Sequence, residues 1–115
     1  MVDNNNSEDI ILNIEVRNSE ALQAINEYNQ ANYKLKQVNK ELNDQNKELE
    51  KSNKSLNKEV AAGAKTRQEA DRLISQNNAS IKQNIEAITE NTQKITANNN
   101  ASRLYQRELQ NNIKI

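Results

Sequence analysis

Apolar residues and asparagines alternate along this chain with a seven-residue repeat, and the two trade slots around Gly63, its single glycine. Before the glycine, a slot called d holds Ala21, Tyr28, Leu35, Leu42, Leu49 and Leu56. A slot called a holds Ile25, Asn32, Asn39, Asn46, Asn53 and Val60. After AAGAKTRQE the occupants reverse: Ile74, Ile81, Ile88 and Ile95 fill a, while Asn77, Asn84, Asn91 and Asn98 fill d. A sustained repeat of seven marks helices that pair along a seam. In an antiparallel pair the a slots of one helix face the d slots of the other, so the exchange is what a chain doubled back on itself requires.

Folding the chain about Lys65 brings Leu56 to Ile74, Leu49 to Ile81, Leu42 to Ile88 and Leu35 to Ile95. The same fold brings Asn53 to Asn77, Asn46 to Asn84, Asn39 to Asn91 and Asn32 to Asn98. Apolar layers oppose apolar layers and polar oppose polar. Gly63 suits the left-handed residue that ends a helix. Thr66 to Glu69 spells T-x-x-E, a capping box in which hydroxyl and carboxylate satisfy two free amides. A helix stop followed at once by a helix start predicts an αα-hairpin. The heptad pattern fixes the register only modulo seven, and the turn residues choose among the alternatives.

The flanks read differently. Residues 1–9 are polar and expected to be a disordered tail. In IILNIEV, residues 10–16, Ile10, Leu12, Ile14 and Val16 alternate with Ile11, Asn13 and Glu15, which predicts a β-strand over 10–17 with one apolar face. Such a strand needs a partner. Asn18 or Ser19 would cap helix 1, with Glu20 favoured by the positive helix start. The expected order is strand 10–17, helix 19–62, turn 63–66 and helix 67–112. Residues 113–115 read as a truncated continuation that alternates as a strand does. The fold class is thus mainly α, an antiparallel coiled-coil hairpin after one short strand. Leu104, Tyr105 and Leu109 continue an apolar stripe that would meet Ala21, Ile25 and Tyr28.

Composition narrows the function. Hydrophobic residues make up 34%, against about 45–50% in globular domains, so a large core is not expected. The isolated segment is expected to be marginally stable, with weak helicity and a broad melt. Sixteen basic and sixteen acidic residues cancel, without the basic face and stacking aromatics of a nucleic-acid binder. No apolar run approaches a membrane span. MVDNNNSED is not a signal peptide, and the Asn-x-Ser triplets, such as Asn78-Ala79-Ser80, read as products of Asn richness. A cytoplasm-like compartment is expected, or a particle assembled in one.

The chain holds no His and no Cys, which removes the usual general base, thiol nucleophiles and most transition-metal ligands. We therefore expect no catalytic, cofactor-binding or metal site and no small-molecule substrate. Glu41, Glu48 and Glu59 with nearby lysines read as a solvated face of weak i,i+4 pairs. Gly63-Ala64-Lys65-Thr66 lacks the first glycine and the preceding strand of a phosphate loop. Three readings of the asparagines stand: a register code, a face open to water, or a set of bonds to a partner. Val38 and Ile85 flank the seam and widen the apolar stripe, pointing to a third helix or second copy.

The order of parts resembles a known family. The polar start, IILNIEVRNSEALQAI running into a helix, Asn/Lys/Glu heptads and the AAGAKTRQEA tip are similar to the N-terminal region of phage tail tape measure proteins of the Asn-rich type. The resemblance covers most of the chain, and the strand-to-helix opening is its most distinctive part. It implies a long, helical, oligomeric structural protein that fills the tail lumen, helps set tube length and leaves during DNA delivery. It also implies self-association, contact with other tail and assembly proteins, and residence in the bacterial host cytoplasm before the virion tail. The alternative is a soluble coiled-coil adaptor that binds a partner helix.

Overall fold

The computed structural model describes the backbone of residues 3–113 and the side chains of residues 8–112. Two helices account for the regular structure: α1, Asp3–Ala61, and α2, Arg67–Ile113. Leu, Lys, Glu, Gln and Ala, good helix formers, fill most of the slots outside the asparagine positions, and no proline interrupts either helix. Asparagine is a poorer former because its side chain competes for backbone bonds. Here most seam asparagines are engaged elsewhere, as described below.

The chain divides into two units, Leu35–Gln93 and Met1–Lys34 with Lys94–Ile115. In the first, the second half of α1 and the first half of α2 form an antiparallel hairpin closed by the turn. In the second, the start of α1 and the end of α2 lie antiparallel.

The turn is built from backbone bonds that name its motif. Ala64 N–H donates to the Glu59 carbonyl at 2.9 Å and Gly63 N–H to the Val60 carbonyl at 3.0 Å. This 6→1 and 5→2 pair is a Schellman motif, which satisfies carbonyls left open at a helix end. Its left-handed position is Gly63, with φ of 76°. Thr66 Oγ1 then accepts from the Glu69 amide at 3.2 Å and starts α2. The Glu69 carboxylate lies 4.0 Å from Lys65 Nζ, which also sits 3.6 Å from Glu59.

The strand over 10–17 is not present; those residues are helical, part of α1, and no strand occurs among the described residues. A lone strand leaves its backbone donors and acceptors open, whereas a helix pairs them internally. Extending an existing helix costs far less than starting one, so the helix propagates through a period-two pattern that has no sheet to join. The expected caps Asn18 and Ser19 and the first-turn Glu20 accordingly lie inside α1. Residues 3–9 of the expected tail are its first turns, and Ile113 of the expected continuation closes α2. Met1, Val2, Lys114 and Ile115 lie outside the described residues.

Candidate functional site

The feature that organises both units is a ladder of asparagine pairs. In the turn-bearing unit, Asn77 Nδ2 donates to Asn53 Oδ1 at 2.9 Å, Asn84 to Asn46 at 2.9 Å and Asn91 to Asn39 at 3.0 Å. In the other, Asn98 donates to Asn32 at 3.0 Å and Asn112 to Asn18 at 2.8 Å. Within the turn-bearing unit each step of seven along α1 is matched by a step of seven back along α2. In the other unit the two rungs lie fourteen residues apart on each helix. In these five pairs α2 donates and α1 accepts.

Second bonds extend several rungs. Asn53 donates to Asn78 at 3.0 Å, Asn77 to Ser52 at 3.2 Å, Asn84 to Gln45 at 3.4 Å and Asn32 to Asn99 at 2.9 Å. Asn32 is buried, whereas Asn39, Asn46, Asn53, Asn77, Asn84, Asn91 and Asn98 are half-buried. These amides bond across the helix pair while their edges stay near water. That position limits the desolvation cost of a polar layer. Among the described residues no buried side-chain nitrogen or oxygen lacks a partner.

Between the polar rungs lie the apolar ones. Leu56 is buried, and Leu35, Leu42, Leu49, Ile74, Ile81, Ile88 and Ile95 are half-buried. Two helices alone cannot enclose a seam, so each of these side chains gains only part of the roughly 1.5–3 kcal/mol of full burial. Ala70, close to the turn, is fully covered.

The unit at the open end is packed differently. Tyr28 and Tyr105 bring their ring centroids to 6.3 Å at a 35° tilt, within the range of favourable aromatic pairs. Ala21 and Ser102 are buried, and Gln106 donates to Ser102 Oγ at 3.3 Å. The Asn18–Asn112 rung was absent from the sequence reading. It was legible there: both residues keep the seven-residue phase, but the expected strand boundary placed Asn18 outside the helix.

Other expected features scatter. Val38 and Ile85 are both exposed. Val38 occupies a g slot and Ile85 an e slot, which fall on opposite flanks of an antiparallel seam. Ile85 borders a shallow groove of about 450 Å³ with Asn43, Asn46, Lys47 and Glu50. The carboxylates Glu41, Asp44 and Glu48 line another open groove beside Leu49. Glu48 meets Lys51 at 3.4 Å with both side chains about three-quarters exposed, a pair of little energetic weight. At the tip, Arg67 joins Asp71 at 2.9 Å and Asn57 at 2.7 Å, tying α2 to α1.

At the start of α1, Ile10, Ile11, Leu12 and Val16 are exposed around the helix. Their slots show no single apolar stripe, because the alternating pattern of a strand scatters on a helix. Among the described residues no cluster of acidic side chains is arranged to hold a metal ion. No described helix is long and apolar enough to cross a membrane. No protein-family model matches the chain, and no curated protein or solved structure matches it.

Proposed function

We propose that the chain is a structural element of an assembly, the N-terminal part of a tail tape measure-like protein that helps set tube length. The observation that supports this reading is the uniformity of the ladder. A helix advances 1.5 Å per residue, and the like rungs Asn53–Asn77, Asn46–Asn84 and Asn39–Asn91 of the turn-bearing unit convert residue number into distance without a bulky core. The exposed Ile10, Ile11, Leu12 and Val16 then supply apolar contacts to sister copies or other assembly proteins, since clustered exposed apolar side chains mark interaction surfaces. Assembly takes place in the bacterial host before the protein enters the virion tail. Removing whole heptads from the reading frame that contains this chain, and measuring tails by electron microscopy, tests the reading. Tails should shorten in proportion to the residues removed; tails of unchanged length would contradict it.

The second reading, a coiled-coil adaptor, draws support from Ile85 and the groove beside it. Val38 on the opposite flank does not extend that patch. An adaptor would bind one partner helix there and lose it on Ile85→Glu.

A further inference from the structure

The turn-bearing unit carries opposite charge on its two flanks. Beside the seam, the e and b slots form one flank and the g and c slots the other. The first holds Lys36, Lys40, Lys47, Lys54 and Lys82 against Glu50 and Asp71. On the second every charged residue is acidic: Glu41, Glu48 and Glu90, with Glu59 and Glu69 near the turn. The f slots point away from the seam and carry both signs. Asp71 is paired with Arg67, and Glu59 and Glu69 with Lys65. Away from the turn, then, one flank is basic and the other acidic. The five lysines of the basic flank are exposed and, among the described residues, take part in no ion pair. Glu48 meets Lys51 in an exposed pair that yields readily.

The charges are also matched in height. Lys40 and Glu41 are neighbours in sequence, as are Lys47 and Glu48, and one residue turns a helix by about 100°. Each base therefore sits within one residue's rise, about 1.5 Å, of the level of an acid on the opposite flank. A sideways shift of the hairpin, without rotation or sliding, brings Glu41 to Lys40 of a second copy and Glu48 to its Lys47. The same shift suits the apolar groups. Ile85 is 52% exposed on the basic flank, and Ser80 and Ala87 at that height on the acidic flank leave it room. A two-fold pair, by contrast, sets each flank on its like.

We propose that copies of the chain associate side by side through the turn-bearing unit, the basic flank of one on the acidic flank of the next. The contact is heterologous, so each added copy offers a fresh flank and the array continues into a ring or a filament. It covers an edge of the half-buried seam. Single surface ion pairs weigh little, and a row of them gives association that is reversible and sensitive to salt. Such an array needs neither the start of α1 nor a foreign helix.

Charge exchange in the full chain tests this. By sedimentation velocity, the mass of the parent should rise with concentration at low salt. The concentration required should increase about tenfold as the Debye length falls from about 30 Å to about 8 Å. Lys40→Glu with Lys47→Glu reverses the middle of the basic flank, and Glu41→Lys with Glu48→Lys that of the acidic flank. Each double variant should keep its helicity and stay monomeric where the parent associates, while their equimolar mixture should recover the association. A parent that stays monomeric or stops at a dimer would overturn the proposal. So would variants that associate as the parent does, which would place the contact elsewhere, or a mixture that stays monomeric.

Discussion

The two units use the same antiparallel pairing in different ways. Around the turn the layers repeat: Leu with Ile, Asn with Asn, each heptad like the next. At the open end they do not, with a tyrosine pair, a buried alanine, a buried serine and a lone outlying asparagine rung. Repetition gives adhesion without a unique alignment, because every heptad offers an equivalent partner. The singular layers, together with the turn, select one alignment among those the repeat allows. A polar residue in a seam is known to specify register at a cost in stability. Around the turn the same polar residue in every heptad restricts the choice to multiples of seven and no further.

Breaking the repeat should have the largest effect. Replacing both Asn46 and Asn84 with Leu converts a polar rung to an apolar one and should stabilise the chain by about 2–3 kcal/mol. Asn84→Leu alone should destabilise by about 1 kcal/mol, because Asn46 keeps its position and loses its donor. Thermal unfolding of the two singles and the double forms a cycle whose non-additivity measures the rung; additive singles would contradict paired amides.

Leu56→Ala should cost about 2 kcal/mol, at the low end for a core leucine because an open seam collapses readily. Chemical denaturation reads this as a shift in midpoint. Tyr105→Ala, in the non-repeating unit, should cost about 1 kcal/mol. Amide exchange in residues 35–93 should change little if the comparison between units is right, and should rise throughout if it is not. Gly63→Ala should cost about 1 kcal/mol through the left-handed backbone alone, since a Cβ there meets nothing within 4 Å. Gly63→Asn should recover part of it, as asparagine tolerates that conformation better.

Much of the helix pair was readable from residues alone because its determinants are local and periodic. The slot exchange at Gly63 fixes direction, and glycine and threonine supply the turn chemistry within a few residues of each other. The start of α1 was not readable in the same way. IILNIEV carries a strand's period, and that pattern favours a strand only where a sheet edge is present to pair with it. Without one, the backbone of residues 10–17 is satisfied by continuing the helix. Misplacing that boundary concealed Asn18, whose partner Asn112 lies in the other helix. The half-burial of the seam depends on the number of helices around it, which the heptad pattern does not state. Function was the least legible, because a ladder of amides and aliphatics carries geometry rather than chemistry.

The central claim is that α2 returns antiparallel along α1. It is tested most directly by the distance between spin labels at Lys40 and Glu90, which lie on the same level of the turn-bearing unit. With helix axes about 8–10 Å apart plus the label arms, the account predicts a separation below about 30 Å. A population near 75 Å, the span of about fifty residues in one uninterrupted helix, would contradict it.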